Sequence, residues 1–338
     1  MTTKEQQTKL RKATANDVAK QAGVSKWTVS RAFIPGASIS GRAREKVLAA
    51  AQSLGYRPNL LARSLSQKRT HIIGVVIDEL KNPHSAMMLD EVTQQLQARG
   101  KMALLLNITA GDNYKAVLAM ADQLQVDGIL FLGTLLSDEL IAVAQDLHHI
   151  PLVQVCRNSS DTDIDVVNVD GYQAGKTIAA LLLEQGFQRF GYMKGPDTPS
   201  NHLLRSEGFQ DGLMAQQIPL TLQLTAGSYD RQAGYRTMAR YLANSAPQAR
   251  VEAIFCENDI LAIGALEALR EAHVSGIGIV GFDDIDEASA PAWQLTSYSQ
   301  RIDRLITEAL NRLIEGKASD AGAWSQGELR IRRSHLKR

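Results

Sequence analysis

From Ile72 to its C-terminus the chain alternates short apolar runs with amphipathic stretches, and this alternation constrains its fold more than any other feature. The apolar runs predict strands at 72–77, 102–108, 127–133, 151–155, 166–169, 190–194, 253–256 and 278–282. The amphipathic stretches predict helices, for example at 86–99, 171–185, 203–216, 260–272 and 301–314. Alternating strands and helices form parallel sheets covered on both faces, and so many strands indicate two such lobes. We therefore expect a ligand cleft between the lobes, at the carboxyl ends of the strands.

The segment that precedes this region reads as three short helices over residues 13–57, called the head below. Thr14, with Asp17 three residues later, predicts a capped first helix over 15–21, and Ser25 predicts the cap of a second over 26–33. Ser40 predicts the cap of a third helix that ends before Gly55. Helical spacing places these side chains inward: Val18, Ala19, Ala22, Val24, Val29, Ala32, Val47 and Leu48. Two helices joined by the Gly-bearing turn at 22–24 form the helix-turn-helix pattern.

Charge divides the chain at the same place. Residues 1–70 hold fourteen Lys or Arg and three Asp or Glu, a net charge of +11, whereas the rest of the chain carries −10. A basic segment that can fold is typical of nucleic-acid binding rather than of a solvated tail. We therefore expect a basic extension at 1–12, the head at 13–57, a linker at 58–70 with one or two helical turns near 60–65, and a two-lobed body at 71–338.

Several functional classes find no support in the sequence. It has no apolar run long enough to span a membrane and no apolar signal-peptide core, so we expect a cytoplasmic protein without a membrane partner. Cys156 and Cys256 each end an apolar run and indicate lone buried thiols rather than a disulfide or a zinc site. No phosphate loop, nucleophile elbow or dinucleotide fingerprint is present, and we expect no catalytic residues, metal or cofactor.

The N-terminal part carries an ordered set of motifs: NDVAKQAGVS at 16–25, TVSR at 28–31, REKV at 44–47, LGYRPN at 54–59 and ARSL at 62–65. The body continues it with NP at 82–83, DGI at 127–129, Arg205 with GF at 208–209, ND at 258–259, AIG at 262–264 and GFDD at 281–284. This ordered set resembles the lactose/galactose/purine repressor family of bacterial transcriptional regulators. It implies an all-α helix-turn-helix head and a periplasmic-binding-protein-like α/β body of two doubly wound parallel-sheet lobes. A solute-binding protein is the alternative, but that class needs a signal peptide and lacks a basic head.

The resemblance implies that the second helix of the head enters the DNA major groove. Lys26, Trp27 and Arg31 align with base-reading positions. Trp27 could contact a thymine methyl group or donate its N–H, or it could pack beside the turn. Three hydroxyl side chains are suited to phosphate oxygens: Ser25, Thr28 and Ser30. For Ser25, capping of the helix is the safer role.

The same resemblance makes the linker a second DNA contact. Asn59, Ala62 and Leu65 are expected in the minor groove, where paired leucines of a homodimer kink a near-palindromic operator. Leu65 could instead only pack the linker against the body. We expect the dimer surface to involve the helices near 86 and 301. The C-terminal residues show no leucine heptad, which favours a dimer over a zipper-linked tetramer.

In the body, the resemblance implies a cleft for a sugar-like effector. The aligned positions are His84, Ser85, Arg157, Asn201, Arg205, Tyr229, Asn258 and Asp283. Asp283 could instead brace the loop after its strand, and His84 could lie in a surface loop. Many sugar-responsive relatives have an aspartate where this chain has Cys156. With Arg157 and Arg205 retained, its absence favours a sugar acid or a sugar phosphate.

Two features depart from the family pattern. Ile34 stands where relatives usually carry a polar residue, and about a dozen basic and polar residues precede the head. The sequence leaves open whether this extension adds phosphate contacts, and whether the effector releases the protein from DNA or recruits it.

Overall fold

The structure is a computed structural model that describes residues 12–34, 36–58, 69–77, 80–108, 114–133, 150–158, 165–196, 203–319 and 322–337. The chain divides into two compact units, and the boundary along the sequence lies between Thr70 and His71. Each unit is described by itself. The predicted linker helix at 60–65 lies outside the described residues.

Three helices build the head: α1 (Ala15–Ala22), α2 (Lys26–Ala32) and α3 (Gly41–Leu54). The Thr14 side chain accepts from the Asp17 backbone while the Asp17 carboxylate accepts from the Thr14 backbone, so the capping box is formed. Gly23 and Gly55 end α1 and α3 with φ near +65°, a conformation that glycine adopts without strain.

The core of the head is small and mostly matches the predicted inward positions. Val18, Val29 and Val47 are fully buried at its centre. Leu48 is a wrong prediction, because its side chain is 43% exposed and Ala50 and Ala51 are buried in its place. The helical period explains the difference: positions 47, 50 and 51 share one face of α3, and position 48 lies about 100° away from Val47.

The first lobe of the body is a five-stranded parallel sheet in the order β2-β1-β3-β4-β5. Its strands are β1 (Ile72–Ile77), β2 (Met102–Asn107), β3 (Gly128–Leu132), β4 (Leu152–Val155) and β5 (Asp165–Val167). The described helices of this part of the chain are α4 (Pro83–Ala98), after β1, and α5 (Tyr114–Gln123), after β2. Strand β2 is the terminal strand at one edge of this sheet.

The second lobe is a six-stranded sheet in the order β11-β10-β9-β8-β6-β7. Its strands are β6 (Phe190–Lys194), β7 (Leu220–Thr225), β8 (Ala253–Cys256), β9 (Gly278–Phe282), β10 (Thr296–Ser299) and β11 (Glu328–Arg330). The helices are α6 (Gly171–Glu184), α7 (Arg205–Met214), α8 (Arg231–Asn244) and α9 (Asp259–Glu271). The predicted parallel-sheet lobe is confirmed, and among its described strands β11 pairs antiparallel with β10.

The chain crosses between the lobes more than once. Helix α10 (Ile302–Glu315) follows β10 of the second sheet but packs on α4 and on strands of the first. Its apolar face, including Ile306 and Leu310, is fully buried there. That face is therefore not available for the dimer contact that the sequence suggested for this helix. The crossover places Gln300, just after β10, between the two lobes.

Candidate functional site

Helix α2 presents the predicted base-reading side chains on the surface of the head. Lys26 is exposed, Trp27 is 66% exposed and Arg31 is half-buried. So large an exposed ring does not pack beside the turn, the alternative left open by the sequence. Instead, the Arg31 guanidinium lies over the indole, with its Cζ 4.5 Å from the ring centroid.

The hydroxyl side chains of α2 differ in what they contact. Ser25 Oγ accepts from the Thr28 backbone N at 3.1 Å and lies 2.9 Å from Thr28 Oγ1, so Ser25 caps the helix. Ser30 is exposed. Their phosphate contacts stay predictions. Asn59, Ala62 and Leu65, expected in the minor groove, lie outside the described residues, as does Asn201 of the expected effector site.

The body holds a cavity where the carboxyl ends of the strands of both lobes meet, as parallel sheets predict. Six of the predicted effector residues line it: His84, Ser85, Arg205, Tyr229, Asn258 and Asp283. Met88, Cys156 and Gln300 complete much of the wall. Its volume is about 20 Å³, enough for roughly one water molecule. The structure is therefore a closed form, and a sugar-sized ligand requires the lobes to part.

Arg205 is the guanidinium that the described residues place in this cavity wall. Only 4% of the residue is exposed, and its guanidinium lies 3.6 Å above the ring of Phe282. Nη1 donates to the backbone carbonyl of Glu257 at 2.6 Å, whereas Nε has no hydrogen-bond partner among the described residues. A buried donor without a partner is costly, so this N–H is poised for a ligand acceptor.

His84, Gln300 and Asp283 connect the lobes across the cavity. Gln300 Nε2 donates to Asp283 Oδ1 at 2.6 Å and lies 3.3 Å from His84 Nε2. His84 Nδ1 is 3.9 Å from Asp283 Oδ1. His84 Nδ1 and Gln300 Oε1 are buried and lack partners among the described residues. The cavity therefore offers a ligand both donor and acceptor capacity.

Asp283 owes its position to a buried neighbour. Its backbone is left-handed, with φ at +107°, a strained conformation for a residue with a side chain. Asp259 accepts from Ser297 Oγ at 2.6 Å and from the Ile285 backbone N at 2.9 Å, which fixes the loop after β9. Burial raises the pKa of Asp259 well above its ordinary range. Asp283 therefore contacts cavity residues, while Asp259 braces the loop.

Tyr229 forms a fixed wall of the cavity. Its hydroxyl donates to Glu257 Oε2 at 2.8 Å, and the same carboxylate accepts from Gly195 N at 2.7 Å and from Tyr192 Oη at 3.1 Å. A Cβ on Gly195 would lie 2.1 Å from the Tyr229 ring, so only glycine fits beneath it. The ring is held from two sides, as a stacking platform for a sugar requires.

Of the two other predicted effector residues, Asn201 lies outside the described residues and Arg157 is absent from the cavity wall. Arg157 is buried but does not line the cavity. Cys156 does line it, with φ at +68° and its Sγ 3.3 Å from Met88 Sδ. Among the described residues, the wall thus pairs one arginine, Arg205, with one carboxylate, Asp283, rather than presenting two arginines. This balance weakens the sequence argument for an acidic ligand.

The titration of His84 leads to a prediction about stability. Burial lowers the pKa of His84, Asp283 opposes this shift and Arg205 adds to it. In the unfolded chain a histidine takes up its proton near pH 6.5, so below that pH the unfolded state binds more protons. We expect the free energy of unfolding to fall between pH 7 and 5.5, by at most about 1.4 kcal/mol per pH unit for this one group.

Urea unfolding at both pH values, on the wild type and on His84→Gln, measures this effect. His84→Gln should lose less stability on acidification than the wild type. His335→Gln is a matched comparison, because burial lowers the pKa of His335 as well, away from the cavity. An identical drop in the wild type and His84→Gln would contradict the prediction.

Sequence reasoning missed Gln300 and Glu257 as site residues. Glu257 directly follows the predicted strand β8, so the rule that ligands bind at strand ends could have found it. Gln300 follows β10, whose polar sequence TSYS gave no strand signal.

Two kinds of feature are absent from the described ranges. They contain no cluster of three or more His, Cys, Asp or Glu side chains that could hold a metal ion. Nor does any helix within them have the length and apolar character needed to cross a membrane.

Comparison with protein families matches both units. Residues 14–59 match the model described as bacterial regulatory proteins, lacI family. Residues 70–292 match the model described as periplasmic binding proteins and sugar binding domain of LacI family.

Individual proteins resemble the chain over nearly its whole length. The PurR transcriptional repressor of Photorhabdus laumondii is 31% identical over 90% of each chain, and that of Mannheimia succiniciproducens is 29% identical over 90% of this chain and 91% of its own. Among solved structures, the Lac repressor dimer bound to operator and the anti-inducer ONPF aligns with a TM-score of 0.85 at 24% identity, over 96% of this chain and all of its own. A complex of the regulator CelR with cellobiose aligns with a TM-score of 0.68 at 24% identity, over 95% and 99% of the two chains. These two structures establish the shared fold.

Proposed function

Because this chain belongs to the LacI family of bacterial regulatory proteins, we propose that it represses transcription by binding a near-palindromic operator and releases or tightens its hold when a small effector enters the cleft. Its partner is chromosomal DNA, so its compartment is the cytoplasm. The role needs no catalysis, and none is assigned to the cleft.

The observation that carries the DNA-binding role is the exposed face of α2. Lys26, Trp27 and Arg31 lie on a short helix within a segment of net charge +11. Lysine and arginine donate to guanine O6 and N7 in the major groove, while the surrounding positive charge attracts phosphates. The minor-groove roles of Asn59, Ala62 and Leu65 belong to the same proposal.

The cavity favours a small polyhydroxylated effector without net charge. Arg205 and Asp283 supply opposite charges, His84 and Gln300 supply unpartnered polar atoms, and Tyr229 supplies an aromatic face. Vicinal hydroxyls donate to carboxylates and accept from guanidinium groups, which matches this mixed wall. A neutral sugar or polyol therefore fits better than its acid, and an effector that carries a carboxylate is the competing outcome.

The closed cleft provides the means of regulation. With space for about one water molecule, it must open before an effector enters. An effector that binds one separation of the lobes better than another shifts the population toward it. We therefore propose that operator affinity follows occupancy of the cleft.

A dimer also needs a surface, and we assign it to the edge of the first sheet formed by β2. Met102 and Leu105 on this strand are 57% and 47% exposed. An edge strand that bears exposed apolar side chains is suited to pairing with another chain. We propose that this edge contacts a second copy of this protein. A near-palindromic operator requires two heads, and the Lac repressor binds operator as a dimer.

Duplex DNA binding tests the proposal directly. The full-length protein should enrich a near-palindromic motif from a randomised duplex library. Affinity for that motif should fall by about 10³- to 10⁵-fold between 50 and 200 mM salt if six to ten phosphates are contacted, because each contact releases counterions. Fluorescence anisotropy with the labelled motif measures both affinity and salt slope.

A solute-binding protein predicts a different result. It would enrich no motif, and its ligand affinity would change little with salt. Lys26→Ala should weaken binding to the selected motif, whereas Leu48→Ala, an exposed truncation on α3, should not. Failure to enrich any duplex would overturn the regulatory role.

A further inference from the structure

The stack of Arg31 on Trp27 is a feature of this head that the general role of the helix does not explain. The two residues lie four positions apart, so they share one face of α2. The guanidinium lies over the indole at 4.5 Å, and the indole is two-thirds exposed. Among the described residues, the side chain recorded on the exposed ring is Arg31, which aligns with a base-reading position.

A second contact fixes the same guanidinium. Arg31 Nε donates to the backbone carbonyl of Ser38 at 3.2 Å. With Nε committed to Ser38, the two terminal nitrogens are the donors that Arg31 has for a base. That end of the group is the fork that matches guanine O6 and N7.

The loop that carries Ser38 is itself anchored. Arg44 on α3 donates through Nη1 to the carbonyl of Ala32 at 2.8 Å and through Nη2 to that of Ala37 at 3.1 Å. Ser38 is the next residue, so its carbonyl is held at a defined place beside α2. Arg31 is therefore fixed on its face by an aromatic ring and on its side by an anchored carbonyl.

We infer that Trp27 is a positioning residue, which orients Arg31 toward one guanine of the operator rather than reading a base itself. A long, flexible side chain loses rotamer freedom when it binds, and a preformed stack removes part of that cost before DNA arrives. One face of the indole is occupied by the guanidinium, so the ring acts through Arg31. This inference rests on the proposed DNA-binding function and specifies how its sequence preference arises.

The test uses the full-length protein and the motif that the wild type selects from a randomised duplex library. Arg31→Ala should abolish the preference for guanine at one base pair, and that loss identifies the pair. At this same pair, Trp27→Ala should reduce the preference by roughly two- to fivefold, the scale of an exposed cation–π contact. Trp27→Phe keeps an aromatic face and should retain most of the preference.

Competition binding against duplexes changed at single base pairs measures these preferences. Leu48→Ala, a truncation of another exposed apolar side chain in the head, should leave them unchanged. Circular dichroism checks that each variant keeps its helices. If Trp27→Ala unfolds, retention of the guanine preference by Trp27→Phe still supports the inference. A Trp27→Ala protein that keeps the guanine preference and loses discrimination at another pair would show that Trp27 reads a base, which overturns the inference. If the wild type selects no motif, the proposed function fails first and the inference with it.

Discussion

Replacing Gly175 with alanine is expected to destabilise the body by about 3 kcal/mol or more, the upper range for overpacked sites. A Cβ at this position would lie 2.3 Å from the Arg205 carbonyl oxygen and 2.6 Å from the Phe209 nitrogen. Both are backbone atoms of α7, so no rotamer change relieves the overlap. Helix α7 must move away from α6, and Arg205 moves with it.

The contact between these helices is built from glycines on both sides. A Cβ on Gly208 of α7 would lie 1.9 Å from the Tyr172 carbonyl oxygen of α6. Close approach of two backbones is thus needed to bring Arg205, the first residue of α7, to the cavity wall. We expect Gly175→Ala to lose effector binding as well as stability.

Urea unfolding followed by tryptophan fluorescence measures this effect. In a Trp27→Phe background, Trp293 and Trp324 report on the body alone. Gly322→Ala is the matched control in the body, since the nearest atom to its new methyl group, Ser325 Oγ, lies at an ordinary contact distance of 3.6 Å. If Gly175→Ala proves as stable as the wild type, the close packing of α6 and α7 described here is wrong.

Much of the fold could be predicted because its signals are local. Strands β1, β6, β8 and β9 were predicted at the residues where they occur, since a strand buried on both faces is a continuous apolar run. The helices of the head were predicted from their caps, Thr14, Ser25 and Ser40, whose side chains do accept from the helix backbone.

The strands β10 and β7 were missed for two different reasons. Strand β10 buries the hydroxyls of Thr296 and Ser297, which pair with His335 and Asp259. No local pattern indicates that such polar residues are satisfied inside a sheet. Strand β7 alternates half-buried and exposed side chains as an edge strand does, and this weaker period-two signal was overlooked.

The site residues also divide into those that the sequence placed correctly and those that it did not. Residues next to predicted strand ends, such as Asp283 and Asn258, could be placed at the cleft from the topology of a parallel sheet. Arg157 also follows a strand, yet it is buried away from the cavity wall. Side-chain direction after a strand depends on the local backbone, and Cys156 turns the chain there with a positive φ. Position along a strand therefore predicts the neighbourhood of a residue better than its contacts.

Replacing Arg205 with lysine is expected to weaken effector binding by about a hundredfold or more. Lysine keeps the charge but loses the planar fork and the stack on Phe282. Two charge-assisted hydrogen bonds, each contributing about 1.5–3 kcal/mol, set the size of this loss. The Glu257 carbonyl also loses its donor at 2.6 Å, so some loss of stability should accompany the change.

The experiment begins with a thermal-shift screen of the wild type against neutral sugars, polyols, sugar acids, sugar phosphates and purines. A ligand at one hundred times its Kd stabilises the folded state by about 2.7 kcal/mol, which is readily detected. Calorimetry with the ligand that gives the largest shift then yields affinities for the wild type and Arg205→Lys. Glu207→Ala changes an exposed residue of the same helix and should bind as the wild type does.

The Arg205→Lys protein should still bind the selected operator, because the proposed DNA contacts lie in the head. It should respond to the effector only at concentrations raised by the same factor as its Kd. This pairing distinguishes a role in the cleft from general damage, which would weaken both activities together. If Arg205→Lys bound the effector as tightly as the wild type, the ligand would not occupy the cavity between the lobes. A sugar acid that binds more tightly than the matching neutral sugar would instead restore the acidic ligand that the sequence favoured.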